Sequence, residues 1–346
     1  MAKETIAGLA KRLGISKASV SYALNGQPGV SEATRRRVLA LAEELEWYPS
    51  SLARALSRSR AGAVGMVLSV DPLRLGTEPY HMGLLAGIET ALAEADMALL
   101  LRMIPKDPAR ERTIYERWAG ERKVDGVLLL DHLHGDPRPH LLARLGLPFV
   151  LHGAPRTEGD VEYSGTTTDH GADSATIVSH LQGLGHRRIA HVSGPRTFVH
   201  EEARIDGVAA CAAQFGMDVA QYEADYSLES GRAAVGKLLL DVPAEERATA
   251  VVVGSDLMAM GALLALRSHG VRCPEDVMLV SWDDSLHCEL ASPSVTALSR
   301  NPWMHGSVAA ELLLTLLETG ETRTHFMPPG ELVARTSTAS EPSPSD

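Results

Sequence analysis

The sequence predicts an all-α helix-turn-helix headpiece at the N-terminus followed by a larger α/β body of two lobes. Three observations carry that expectation. Short helical patterns fill the first 46 residues, and beyond residue 61 continuous apolar runs alternate with amphipathic stretches. The charge also steps along the chain: residues 1–60 carry a net +5 and the remainder −16, within a total of −11. A basic unit joined to an acidic body suits a polyanion partner for the first part alone, since charges beyond a Debye length of ~8 Å scarcely cancel one another.

The first helix is expected over Thr5-Ile-Ala-Gly-Leu-Ala-Lys-Arg-Leu13, with Thr5 as N-cap and Gly14 as breaker. Ser16 opens a second over Lys17–Leu24. Two helices joined by a short turn containing Gly form the unit whose second helix enters the DNA major groove. On it Lys17, Ala18 and Tyr22 share the face able to reach base edges: Lys17 toward guanine O6 or N7, Ala18 toward a thymine methyl, Tyr22 by hydrogen bond or packing. Thr5, Ser16, Ser19, Ser21, Asn25 and Ser31 are short polar groups suited to phosphates. For Thr5, Ser16, Asn25 and Ser31 capping and turn packing is the competing role, and a helix N-terminus allows both.

A third helix runs from about Glu32 to Glu46 behind Ser31, turning Val38, Leu39, Leu41, Ala42 and Leu45 toward the other two. Arg35, Arg36 and Arg37 crowd its first turns, against the helix dipole, a cost that a nearby DNA backbone offsets. Pro49 ends the unit, and Ser50–Ser57 makes a helix of about two turns, too short to stand alone.

In the body, strands are expected at Val64–Val70, Ala98–Met103, Val124–Leu130, Phe149–His152, Ile189–Ser193, Ala250–Gly254, Met278–Trp282 and Thr296–Leu298. Helices fall between them at Gly83–Ala95, Gly171–Leu184, Ala203–Phe215, Ser230–Leu240, Leu257–Ser268 and Trp303–Leu317. Continuous apolar strands alternating with helices indicate parallel sheets covered on both faces, and roughly 275 residues exceed what one such sheet commonly holds. Ligands of such sheets bind beyond the C-terminal strand ends. There Asp283 and Arg204 can hold vicinal hydroxyls by charge-assisted hydrogen bonds, with Tyr80, Tyr226 and Trp282 as stacking faces in a chain only 4% aromatic. An ion pair between Arg204 and Asp283 is the structural alternative.

Other classes are disfavoured. No G-x-x-x-x-G-K-[ST], G-x-S-x-G or H-E-x-x-H motif occurs, and His132 and His134 lack further ligands, so no metal, no cofactor and no enzymatic activity is expected. Cys211, Cys273 and Cys288 are widely spaced and odd in number, as for reduced thiols. With no apolar leader and no membrane-spanning run, a cytoplasmic protein is expected. The Ser/Pro/Thr-rich segment 336–346 is expected to be disordered.

The chain resembles the LacI/GalR family of transcriptional regulators over about residues 4–335. The resemblance rests on Ser16-Lys-Ala-Ser-Val-Ser-Tyr-Ala-Leu-Asn-Gly26, Val30-Ser-Glu-Ala-Thr-Arg35, Leu52-Ala-Arg-Ala-Leu56, Leu184-Gly-His-Arg-Arg-Ile-Ala190, Arg204-Ile-Asp-Gly207 and Pro274-Glu-Asp-Val-Met-Leu-Val-Ser-Trp-Asp-Asp284, in that order. It implies a homodimer on a pseudo-palindromic double-stranded operator and a periplasmic-binding-protein-like effector domain. It also implies hinge helices meeting in the minor groove, with Ala55 and Leu56 at a wedged base step. His81 and His200 match its pocket positions. The implied division is a headpiece at 1–49, a hinge at 50–60 and the effector and dimerisation domain at 61–335. Lobe 1 covers about 61–163 and 294–325; lobe 2 covers about 164–293 and 326–335. Departures are Gly8 for an acidic residue, Gly153 for another, and His170 for the usual Asn. The function expected is a repressor under allosteric control by a small effector, a sugar first and a nucleobase or nucleoside second. A cytosolic sugar-binding or sugar-modifying protein with a vestigial headpiece is the reading from another class. No leucine heptad follows residue 330, which favours a dimer over a zipper-joined tetramer.

Overall fold

The computed structural model describes residues 5–47, 60–70, 78–153, 161–243 and 245–339. The headpiece comprises α1 (Ile6–Leu13), α2 (Lys17–Leu24) and α3 (Glu32–Glu44). Each opens on a hydroxyl that accepts a backbone N–H three residues on: Thr5 from Gly8, Ser16 from Ser19, Ser31 from Thr34. Gly14 takes φ +67°, the left-handed conformation that lets α1 stop and the chain turn into α2. Leu9, Ala10, Val20, Ala23 and Val38 form the core of the bundle. Leu39, expected to face inward, is 46% exposed, because α3 turns only Val38, Ala42 and partly Leu41 and Leu45 to its neighbours. The hinge, with Ala55 and Leu56, lies outside the described residues.

Two six-stranded sheets build the body. Lobe 1 contains β1 (Ala63–Leu68), α4 (Pro79–Glu94), β2 (Ala98–Met103), α5 (Pro108–Gly120), β3 (Gly126–Leu129), α6 (Arg138–Leu145), β4 (Phe149–Leu151) and β5 (Ser164–Thr167). Lobe 2 contains α7 (His170–Gly183), β6 (Arg188–Ser193), α8 (Val199–Gln214), β7 (Asp218–Glu223), α9 (Leu228–Val235), β8 (Ala250–Val253), α10 (Asp256–Ser268), β9 (Met278–Ser281), α11 (Leu286–Leu290) and β10 (Thr296–Ser299). The chain then returns to lobe 1 for α12 (Pro302–Thr319) and β11 (Thr324–Phe326), and ends in lobe 2 with β12 (Glu331–Val333). The orders are β11-β5-β4-β3-β1-β2 and β12-β10-β9-β8-β6-β7. Every pairing is parallel except β12 against β10. Central strands such as β8, Ala-Val-Val-Val, are buried along their whole length, as a sheet covered on both faces requires.

The chain crosses between the lobes three times, and two expected boundaries move. β5 pairs with β4 and β11, so lobe 1 extends past 163 to Thr167. β10 pairs with β9 and β12, so the return to lobe 1 follows Arg300 instead of residue 293. The expected disordered segment also begins too early. Thr336–Thr338 forms a 3-10 turn with Ser337 and Thr338 buried, because their hydroxyls complete the polar edge of β10 and β9.

In both lobes a helix pair meets backbone to backbone at glycine. A Cβ on Gly87 of α4 would fall 1.9 Å from the Trp303 carbonyl of α12, and one on Gly261 of α10 would fall 2.0 Å from the Leu228 carbonyl of α9. The lobes also touch across the cleft, where Val199 N–H donates to His132 O at 3.0 Å and His134 N–H to Thr197 O at 3.2 Å.

Candidate functional site

On the headpiece, α2 presents Lys17, Ala18 and Tyr22 to solvent while Val20 and Ala23 are buried. The expected reading face is thus free of intramolecular cover. A Cβ on Gly29 would lie 3.1 Å from the Tyr22 ring, and Gly29 has φ +117°, so a glycine allows the loop to pass beneath that ring. Asn25 acts as a C-cap, its amide donating to Ser21 O at 2.8 Å, and Ser16 and Ser19 hydroxyls lie 2.9 Å apart. The capping role is therefore present for all four, Thr5, Ser16 and Ser31 at exposed helix N-termini and Asn25 at the C-terminus of α2. Arg35 donates to Gln27 O at 3.0 Å and lies 3.5 Å from Glu32, bracing the loop before α3, while Arg36 is exposed.

Between the lobes lies a cavity of about 610 Å³, within the span of roughly 300–1,000 Å³ usual for small-molecule sites. It is reached by the loops after β1, β3, β4, β6, β8, β9 and β10, the carboxyl ends of both sheets. Tyr80, His81, His200, Arg204, Tyr226 and Asp283 all line it, as expected from sequence.

Trp282 does not. It is fully buried behind Arg204, whose guanidinium lies 4.9 Å from the indole centroid, so it is the shelf on which Arg204 rests. Nor do Arg204 and Asp283 pair. Arg204 holds the buried Glu201 at 2.5 Å, and Asp283 accepts a short hydrogen bond from Arg300. Asp256 is the first residue of α10, behind the N-cap Ser255, and accepts from Leu257 N–H at 2.8 Å and from the Ser285 hydroxyl at 2.5 Å. Asp284 is paired with Arg335 at 2.8 Å.

Arg300 was missed by sequence reasoning, as were His152, His305 and Phe198. Arg300 lies just past β10, and His152 closes the Phe149–His152 run, so the strand-end rule was able to find both. His305 sits inside α12 with no local signal.

Five imidazoles line the cavity: His81, His152, His170, His200 and His305. Burial, reinforced by Arg300, pushes His152 down to about 4, and burial with His152 beside it takes His305 to about 2. His170 and His200 are held well below the usual range by burial and then by Arg204. For His81, burial opposes the charge, but the Glu78 carboxylate at 2.8 Å and Asp131 outweigh it and raise its pKa. The neutral rings are fixed by neighbours. His152 lies 3.1 Å from the Tyr80 hydroxyl and 2.8 Å from that of Thr166, and His200 stacks on Phe198 while meeting the Tyr226 hydroxyl at 3.1 Å. Among the described residues no three histidine, cysteine or carboxylate groups gather to hold a metal ion. Charged pairs, hydroxyls and ring faces converging on one cleft suit reversible binding of a polyhydroxylated molecule.

Residues 5–50 match the profile of the bacterial regulatory proteins of the lacI family, and residues 178–338 that of the periplasmic binding protein-like domain. The HTH-type transcriptional regulator CelR of Thermobifida fusca is 34% identical over 326 residues, 92% of either chain. This chain belongs to the LacI family of transcriptional regulators. Within the LacI family it is also 32% identical to MalR of Streptomyces coelicolor, over 97% of either chain. Its fold superposes on a CelR–cellobiose complex with a TM-score of 0.73 at 31% identity, covering 96% of this chain and 99% of that one. On the lac repressor dimer bound to operator and the anti-inducer ONPF the TM-score is 0.83 at 22% identity, covering 97% and 99%. The LacI-family relatives are DNA-binding regulators, not enzymes, which agrees with the absence of catalytic motifs read from the sequence. No helix among the described residues is long and apolar enough to cross a membrane.

Proposed function

We propose that this LacI-family regulator is a homodimeric repressor whose operator affinity is set by a sugar held between its lobes. The observation that carries the reading is the interlobe cavity, where the Arg300–Asp283 pair and Arg204 face the aromatic surfaces of Tyr80, Phe198 and Tyr226. A sugar ring needs both: hydrogen-bonding groups at its edge and an apolar surface for its C–H face. The CelR relative has been seen with cellobiose, which supports an oligosaccharide of that kind. The dimer places two copies of α2 on a pseudo-palindromic operator, Lys17, Ala18 and Tyr22 reading base edges and the N-terminal hydroxyls holding phosphates. Ala55 and Leu56 belong to the hinge that the lobes control, and the site of action is the cytoplasm, with the chromosome.

Control requires the effector to prefer one arrangement of the lobes over the other. A hundredfold preference supplies about 2.7 kcal/mol toward a change of operator affinity. Titration calorimetry with cellobiose, maltose, other disaccharides and a nucleoside panel, followed by fluorescence anisotropy on the palindromic duplex upstream of the coding gene, tests the proposal. Saturable disaccharide binding that changes operator affinity supports it. Binding of nucleosides alone, or sugar binding without any effect on DNA, overturns it.

A further inference from the structure

We propose that the cavity selects an uncharged oligosaccharide and excludes phosphorylated and carboxylated sugars, an inference that rests on the sugar reading above. The selectivity follows from how the charges are already committed. Among the described residues three cations line the cavity, Lys106, Arg204 and Arg300, against five carboxylates. Both arginine side chains are largely buried, and each holds a carboxylate: Glu201 at 2.5 Å for Arg204, Asp283 for Arg300. Lys106 stands at the exposed rim with its ammonium 5.4 Å from the Phe198 ring centroid. Among the described residues an anionic sugar entering this cleft meets no uncommitted buried cation, since Arg204, Arg300 and His81 each hold a carboxylate, and it faces Asp131 and Asp256 besides. It therefore loses its hydration without compensation.

A hydroxyl is received differently. On residues lining the cavity, the Nε–H groups of Arg204 and Arg300, Nδ1 of His170 and both ring nitrogens of His305 are buried with no hydrogen-bond partner. Such atoms are costly to leave unmade: the two Nε–H groups ask for acceptors, and a neutral imidazole offers one nitrogen that donates and one that accepts. The carboxylates beside them only accept. A ligand of many hydroxyls accepts from the Nε–H groups and donates to the carboxylates, whereas a phosphate or carboxylate serves the donors alone and sets its charge against the carboxylates. The exclusion is thus built by repulsion and unmet desolvation, with the two salt bridges keeping the arginines from acting as an anion clamp.

The test is titration calorimetry of the full-length protein with neutral and charged versions of one skeleton: cellobiose against cellobionate, and trehalose against trehalose 6-phosphate, with maltose as a further neutral probe. Neutral sugars are expected to bind at least about a hundredfold more tightly than charged partners. A charged sugar binding as tightly as its neutral counterpart overturns the selectivity and leaves the sugar reading standing. If no sugar of either kind binds, the sugar reading falls, and this inference falls with it. The variant Asp283→Asn checks the origin, since it frees Arg300 from its carboxylate. Its ratio of charged to neutral affinity is expected to rise about tenfold, with the thermal midpoint reporting that it folds. An unchanged ratio in a folded variant refutes the role given to the Arg300–Asp283 pair.

Discussion

Replacing Ser337 by Ala removes one oxygen from a segment whose composition suggests disorder, and the structure predicts a large cost. Ser337 is fully buried. Its hydroxyl donates to Leu279 O at 2.6 Å and accepts the Thr296 N–H at 2.8 Å, tying β9 and β10 to the turn at Thr336–Thr338. Without it a buried amide loses its acceptor, which costs about 1–3 kcal/mol, and a neutral hydrogen bond worth about 1 kcal/mol is lost besides. The sum is ~2–4 kcal/mol. For a domain of this size that lowers the thermal midpoint by roughly 4–12 °C, read by circular dichroism or intrinsic fluorescence. Thr336→Ala is the control, because Thr336 is exposed and its hydroxyl meets only Ser294 at the surface, so its change is expected to stay within about 1 kcal/mol. A Ser337→Ala midpoint within about one degree of the parent refutes the claim that this turn belongs to the fold.

The glycine contact between α4 and α12 gives a second outcome. Gly87→Ala gains about 1 kcal/mol of helix propensity but drives a methyl into the Trp303 backbone, for a net loss of stability of about 1–3 kcal/mol in urea melts; Gly183→Ala, with nothing within 4 Å of a Cβ, is neutral or slightly stabilising. Equal behaviour of the two variants contradicts the packing argument. On the headpiece, Lys17→Ala weakens operator binding by about 1–3 kcal/mol in anisotropy titrations at matched salt and leaves sugar binding intact, so undiminished operator affinity removes Lys17 from the reading face. Stability falls as the solution is acidified. The unfolded chain protonates its histidines near 6.5, while burial holds His152 at about 4 and His191 at about 3 in the fold. Between those values and 6.5 the unfolded state binds the extra protons, so each ring costs up to ~1.4 kcal/mol per pH unit as pH drops, a contribution fully recovered above about 6.5. Urea melts at about pH 7.5 and about pH 5 check this, and equal or greater stability at the lower pH is the contrary result.

Much of the fold was legible because hydrophobic continuity marks central strands, and short hydroxyl residues mark helix starts. β2, β3, β6, β8 and β9 fall within a residue or two of their expected places for that reason. The elements that were missed lack the signal. β7, Asp-Val-Ala-Gln-Tyr-Glu, is an edge strand exposed along much of its length, and β5, Ser-Gly-Thr-Thr, carries no large apolar side chain at all. Edge pairing is decided by neighbours far along the chain, which local composition does not record. In the site, residues just past predicted strands were within reach, whereas His305 depends on α12 returning across the cleft to lobe 1. Trp282 was misjudged because an aromatic ring at a strand end can serve a ligand or support the side chain that does, and only the packing separates the two.

Arg300 occupies the link between β10 of lobe 2 and α12 of lobe 1, and Asn301 beside it adopts φ +47°. The guanidinium that faces the cleft therefore hangs from one of the three strips of backbone that join the lobes. Any swing twists the torsions that aim this side chain, and anything that fixes the side chain resists the swing. On the proposed reading, occupancy and opening angle are in this way a single mechanical coordinate, sensed at its pivot and not relayed to it from elsewhere.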